Sequence, residues 1–356
     1  MTAPAPFQIH ATDAQLEDLQ ARLHNTRWPE REVVDDWSQG TPLSYVQEVS
    51  TYWADQYDWR SREAALNRLT QWRGEAEGFG LHFVHMRSQH EHALPLLLSH
   101  GWPGSIVEFA KAIPSLLDPV AYGGKAEDAF HIVAPSLPGF GFSDKPKTPG
   151  TGVHRIATLF DSLMRGLGYD RYVAQGGDWG SVITTCIGAQ NLGACSAIHL
   201  NMPIGRPTAD DMNSSDPDAR AGLAALQAYQ DWDSGYSKQQ ATRPQTIGYG
   251  LADSPAGQAA WILEKFWRWT DCDGHPENAL TRDEMLDNIM MYWLPNTATS
   301  SARIYWESFG KPLLKETGPV KLPTGCSLFP KEIFRPSRQW AEREYANITY
   351  WNKLDK

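Results

Sequence analysis

The sequence predicts an α/β fold, a mostly parallel central sheet with helices on both faces, from the way strand-like and helix-like segments alternate. Short runs that are apolar throughout, the pattern of strands buried on both faces, recur from residue 81 onward with helical periodicity between them. Ahead of them, roughly the first 75 residues read as helical. Between 204 and 320 the alternation lapses into helix after helix, which predicts an insertion over one end of the sheet, where open α/β sheets bind ligands. The expected organisation is an N-terminal helical extension at 1–75, an α/β core at 76–203 and 321–356, and a helical cap at 204–320.

Each element has a local reason. Thr12 followed by Gln15 is a capping box that opens a helix with Leu16, Leu19 and Leu23 on one face, and Trp28-Pro29 ends that segment. Leu43, Val46, Val49 and Trp53 recur at helical spacing. Strand-like runs follow at 81–86, 94–99, 130–135, 172–175, 197–200, 322–328 and 348–351. Among the intervening helices, one carries Ile156, Leu159, Phe160, Leu163 and Leu167 and stops at Gly168. Within the insertion, one helix surrounds Leu223, Leu226 and Tyr229, and another opens at Ser254-Pro255 and carries Ala259, Ile262, Leu263, Phe266 and Trp269. A third opens at Thr281 with Glu284 as its capping box.

Composition narrows the function. The chain has 356 residues, 41% hydrophobic and 21% charged, enough for a folded core and unlike a disordered or low-complexity chain. Its net charge of -10 offers no broad attraction to phosphate backbones or anionic lipid, which argues against nucleic-acid or membrane-surface binding and leaves small neutral substrates. Fifteen tryptophans are an excess that suits rigid walls around apolar cavities or interfaces. The four cysteines form no CxxC pair, so neither a zinc site nor a disulfide scaffold is indicated, and a reducing compartment is expected. The N-terminal residues show no basic region followed by an apolar one, and the expectation is a soluble, cytoplasmic protein.

The strongest chemical signal is Gln175-Gly176-Gly177-Asp178-Trp179-Gly180-Ser181, which follows a short apolar run and opens a helix. That is the setting of a nucleophile elbow, where small neighbours permit a strained turn that presents one side chain. Asp stands where esterases place Ser. A serine alkylated at an sp3 carbon would become an ether that water cannot easily cleave, whereas an alkylated carboxylate is an ester, so Asp predicts displacement at carbon followed by hydrolysis. The plainer alternative is a strand-to-helix turn with Asp178 as helix cap. Two upstream motifs weigh against it. His100-Gly101-Trp102-Pro103-Gly104-Ser105 follows the run at 94–99, where such an architecture takes one backbone N–H of an oxyanion hole, and Trp179 would supply the other. Pro135-Ser136-Leu137-Pro138-Gly139-Phe140-Gly141 follows the next run as a rigid turn.

These motifs, together with an N-terminal helical segment containing Arg27-Trp28-Pro29, resemble the microsomal-type epoxide hydrolases of the α/β-hydrolase fold. The resemblance spans nearly the whole chain and includes His199-Leu200-Asn201-Met202-Pro203 ahead of the cap. It implies an N-terminal segment that wraps the core, Asp178 as nucleophile, and Trp102, Pro103 and Trp179 against the substrate. It also implies Tyr236 and Tyr305 as cap tyrosines that hydrogen-bond the epoxide oxygen, and Glu332 as the charge-relay acid. The chemistry agrees: opening an epoxide generates an alkoxide, and a phenol can donate to it without carrying charge into an apolar cavity. Taken alone, each tyrosine reads more readily as a packed core residue, which only the motif match reverses, and Glu332 reads equally as a surface carboxylate.

The resemblance further implies a histidine base in a Gly-Gly-His-Phe motif after the last strand, oriented by Glu332, and a closing helix. No histidine follows His275 and the sequence ends at Lys356, so that base is expected just beyond Lys356. The expected reaction is conversion of an apolar or aryl epoxide and water to a vicinal diol. No cofactor or metal is implied, since side chains can supply attack, proton donation and water activation, and a homodimer is compatible with the sequence. Two other readings use the same residues: a haloalkane dehalogenase with the same Asp nucleophile, and a non-catalytic ligand-binding protein of hydrolase fold if the chain truly ends at Lys356.

Overall fold

The computed structural model describes residues 3–310 and 318–355. Its N-terminal part runs β1 (Ala5–Phe7), α1 (Asp13–His24), α2 (Leu43–Asp55) and α3 (Trp59–Leu66). Then come β2 (Gln71–Ala76), β3 (Phe79–Met86), β4 (Leu94–Ser99), α4 (Ile113–Leu117), β5 (Phe130–Pro135), α5 (Val153–Gly166), β6 (Tyr172–Gly176), α6 (Trp179–Gln190) and β7 (Cys195–Leu200). Among the described residues, six α-helices follow before the next strand: α7 (Pro217–Ala228), α8 (Gly235–Thr242), α9 (Pro244–Asp253), α10 (Pro255–Trp269), α11 (Arg282–Trp293) and α12 (Ala298–Ser308). β8 (Thr324–Leu328), α13 (Arg338–Glu344) and β9 (Ile348–Lys353) close the described chain. Residues 311–317 of the expected cap lie outside the described residues.

The strands form one nine-stranded sheet in the order β1-β2-β3-β5-β4-β6-β7-β8-β9. The first three pairings are antiparallel and every pairing from β5 to β9 is parallel. Strand order reverses around β4, which lies between β5 and β6, so the loops leaving β4 and β6 open a crevice at the carboxyl ends of the strands. The strands on either side of that crevice are predominantly apolar: Leu96, Leu97, Ile132, Val133, Ala134 and Ala174 are buried. α5 carries Ile156, Leu159, Phe160 and Leu163 buried on one face and ends before Gly168, whose φ of 86° suits glycine.

One expectation needs correction. The first 75 residues are not wholly helical, because Ala5–Phe7 and Gln71–Ala76 pair antiparallel as the outer strands of the sheet. A three-residue strand has no measurable period, and the second is polar, contains Gly74 and is only partly buried, so neither shows an apolar run. The helical remainder is as capped by sequence: Thr12 and Gln15 form the box of α1, and Thr281 and Glu284 that of α11.

The N-terminal helices pack on the insertion. Trp37 stacks on Trp267 at 5.1 Å, Thr41 Oγ1 donates to the carbonyl of Ala260, and Arg22 pairs with Asp253. Among the described residues no helix is long and apolar enough to cross a membrane.

Candidate active site

Asp178 sits between β6 and α6 with φ 50° and ψ -126°, a backbone conformation that residues with a Cβ seldom adopt. Glycines on either side make the turn possible. A Cβ on Gly176 would lie 2.1 Å from the carbonyl oxygen of Gly180, and one on Gly180 would lie 1.8 Å from that of Ser99 at the end of β4. The elbow is therefore pressed against the neighbouring strand so closely that only glycine fits at both positions.

The loop after β4 meets the elbow. Trp102 N–H donates to Asp178 Oδ1 at 2.8 Å, and the N–H of Trp179, at the start of α6, bonds the same carboxylate. A Cβ on Gly101 would lie 2.1 Å from Oδ1, which explains the glycine before Trp102. Burial pushes the Asp178 carboxyl up to about 6, and the two backbone N–H groups pull it back toward the ionised form. His100 anchors the loop from below. Its Nε2 accepts from the Leu137 N–H at 3.1 Å, so Nδ1 carries the proton and donates to the Gly101 carbonyl at 2.9 Å. Burial lowers His100 to about 4, so the ring is neutral and both nitrogens are occupied with structure. The Trp102–Pro103 peptide bond is cis.

Over this crevice the insertion places aromatic side chains. Tyr236 of α8 stacks on Trp102 at 5.0 Å, and Tyr305 of α12 meets Trp179 edge-on at 4.8 Å. The two tyrosine rings are 5.7 Å apart. Trp102, Trp179, Tyr236 and Tyr305 are each 8% exposed or less, so bulk water is excluded from the space they surround. Tyr305 Oη is buried with no hydrogen-bond partner among the described residues. Burial first, and the charge of Asp178 in addition, hold the Tyr236 and Tyr305 hydroxyls protonated well above the usual phenol range. Two protonated donors thus lie within electrostatic reach of one carboxylate.

Glu332 follows β8 at the same carboxyl edge of the parallel strands as Asp178. It is half-buried, and its Oε1 accepts from the Ile333 N–H at 2.9 Å. Burial pushes it up to about 7; the Ile333 N–H pulls it down and the charge of Asp178 adds to the rise. No histidine hydrogen-bonds Glu332 among the described residues. His82 bonds Ser136 and Gln71, His85 bonds Tyr169, His90 bonds Asp118 and His199 bonds Ser327.

Two residues of this site escaped sequence reasoning as members of it. Tyr229 donates to Ser237 Oγ at 2.8 Å and lies 3.4 Å from Tyr236 Oη. Lys265, only 5% exposed, places Nζ 4.5 Å over the Tyr236 ring and 5.3 Å over that of Trp269, which itself packs on Trp102. A signal existed for both: Tyr229 precedes Tyr236 by two helical turns, and Lys265 interrupts the apolar stripe of α10 between Leu263 and Phe266.

Comparison with known proteins agrees with this geometry. Residues 4–109 match the family model described as epoxide hydrolase N terminus, and residues 95–240 match that described as alpha/beta hydrolase fold. A Stigmatella aurantiaca protein assigned by name to the epoxide hydrolases is 54% identical over 99% of this chain and 79% of its own length. Epoxide hydrolase 1 of Sus scrofa is 32% identical over 98% of this chain and 83% of its own. The crystal structure of juvenile hormone epoxide hydrolase from the silkworm Bombyx mori superposes with a TM-score of 0.91 at 29% identity, covering 100% of this chain and 89% of that one. An aspartate on a strained elbow, beneath paired phenols in a sheet of this topology, is thus found in a chain that belongs to the epoxide hydrolases of the α/β-hydrolase fold.

Proposed function

We propose that the protein converts an apolar or aryl epoxide and water to a vicinal diol through an ester on Asp178. The observation that carries this reading is the buried Asp178 carboxylate itself, whose Oδ1 the Trp102 N–H holds at 2.8 Å; attack is assigned to Oδ2. That oxygen bonds an epoxide carbon, the C–O bond breaks, and the electron pair goes to the epoxide oxygen. Tyr236 or Tyr305 donates the proton, a contribution of about 10²–10⁴ in rate for a positioned acid. Tyr305 is suited to this because its hydroxyl has no competing partner among the described residues.

The ester then breaks at its carbonyl carbon. Water adds to Asp178 Cγ, Oδ1 becomes an oxyanion against the Trp102 and Trp179 N–H groups, and the bond to the alkyl oxygen breaks. One proton of the water ends on the departing hydroxyl and the other restores the tyrosine, which returns the enzyme to its starting state. We assign Glu332 as the acid that orients a histidine base for this step. The aromatic walls of Trp102, Trp179 and Trp269, with Pro103 beside them, support an apolar or aryl substrate. Four buried, unpaired cysteines support a reducing compartment such as the cytoplasm.

The test is intact-mass spectrometry during incubation with styrene oxide, alongside diol assay. Wild-type protein is expected to gain the mass of one epoxide, and Asp178→Asn to gain none and form no diol. Diol production by Asp178→Asn at the wild-type rate would overturn the reading.

A further inference from the structure

The loop that carries the Trp102 N–H is held by one helix of the insertion. Asn288 and Tyr292 are one turn apart on α11 and so share a face. Asn288 Nδ2 donates to the Pro103 carbonyl at 2.7 Å, and Asn288 Oδ1 accepts from Ser105 Oγ at 2.7 Å. Tyr292 Oη donates to the Gly104 carbonyl at 2.6 Å. The three residues following Trp102 are therefore each tied to α11, through groups that are buried on the α11 side. On its adjoining face the same helix is braced by the N-terminal segment. Tyr52 Oη donates to Asp283 at 2.8 Å, Tyr57 Oη donates to Asp287 at 2.7 Å, and Arg62 Nε donates to both Asp287 oxygens at 2.9 and 3.0 Å.

We propose that Asn288 and Tyr292 are positioning residues that aim the Trp102 N–H at Asp178 Oδ1, and that they serve the breakdown of the Asp178 ester rather than its formation. The inference rests on the proposed ester and follows from where charge moves. In the resting carboxylate Oδ1 already carries negative charge and already accepts the N–H. Alkylation turns it into an ester carbonyl oxygen with less charge, so a well-aimed donor stabilises the ground state at least as much as the transition state and does not speed this step. Water addition reverses the flow: Oδ1 gains a full charge, and the donor is worth most there. A donor whose loop is held by three hydrogen bonds, two of them to backbone carbonyls, need not reorganise as the charge appears. The N-terminal segment, by bracing Asp283 and Asp287, stiffens the helix that supplies those bonds.

The test uses the full-length protein with styrene oxide and follows the mass of the protein in two phases. Adduct formation is timed under excess epoxide, and adduct decay is timed after rapid removal of the epoxide. Asn288→Ala removes two of the three bonds. Tyr292→Phe removes only a hydroxyl and keeps the packing, so it carries the test if the alanine variant does not fold. Expected is ester decay slowed about tenfold, a part of what loss of a whole oxyanion donor costs, with formation changed by less than about twofold. In steady state kcat and KM then fall together and kcat/KM stays near wild type, a split that mere structural damage does not produce. Unchanged decay in folded variants, or formation slowed as much as decay, overturns the proposal while leaving the ester reading in place. Absence of any adduct in the wild-type protein overturns the ester reading, and this inference with it.

Discussion

Replacing Asp178 by Asn removes activity and, at pH 8, makes the folded protein more stable by about 3 kcal/mol. The figure follows from the displacement of the carboxyl from an ordinary 3.8 to about 6, roughly two units at about 1.4 kcal/mol each. Burial is the dominant cause, so the ionised form costs free energy in the fold that it does not cost in the unfolded chain. Asn has the same shape, can accept the Trp102 N–H through its amide oxygen and must adopt the same strained φ of 50°, so hydrogen bond and strain largely cancel in the comparison. The sign is set by the direction of the shift. A carboxyl raised in the fold leaves wild-type stability intact below about pH 4 and lowers it as pH rises to about 6. The advantage of Asp178→Asn is therefore near zero at pH 4 and complete above pH 6. Urea unfolding of both proteins at pH 4 and pH 8 measures it directly. A gap that is absent at pH 8, or equally large at pH 4, would refute the claim that Asp178 is held as a desolvated, partly penalised nucleophile.

Three other outcomes follow from named contacts. Alkylation by wild-type protein should fall about tenfold per unit as pH drops below about 6, because only the ionised Asp178 attacks; a pH-independent adduct rate between 4 and 6 would contradict that. Tyr305→Phe should slow alkylation by about 10²-fold with little loss of Tm, since the hydroxyl it deletes is buried without a partner among the described residues; stopped-flow and thermal melts check the two halves. Arg62→Leu should cost about 3 kcal/mol by urea titration, because Asp287, 4% exposed, then keeps only Tyr57 as a partner from the N-terminal segment.

Much of this fold could be read from the sequence because its strands are buried on both faces. The runs at 94–99 and 130–135 coincide with β4 and β5, since a strand covered on both sides has no polar alternation to blur its ends. β1 and β2 lie at the antiparallel margin and lack that signature. At the site, the elbow was legible because its chemistry is local: Gly176 and Gly180 are dictated by contacts within the turn and with Ser99. Tyr236 and Tyr305 were legible only through family resemblance, because a tyrosine on a helix reads the same whether it faces a core or a reacting atom. Lys265 over the Tyr236 ring, and Asn288 and Tyr292 on the loop after Trp102, depend on contacts across 29 to 188 positions of sequence, which no local pattern records. The residue separations of 183, 185 and 188 in the α11 contacts make the point: only the folded chain brings these groups together.

In an ester mechanism the oxygen delivered to the diol comes from Asp178 and not directly from water. A single turnover in H₂¹⁸O with enzyme in excess over styrene oxide decides it. Unlabelled diol is expected, with an ¹⁸O-labelled carboxylate in the peptide that contains Asp178, because water adds at Cγ. Label in the diol on the first turnover, with an unlabelled Asp178 peptide, would contradict it.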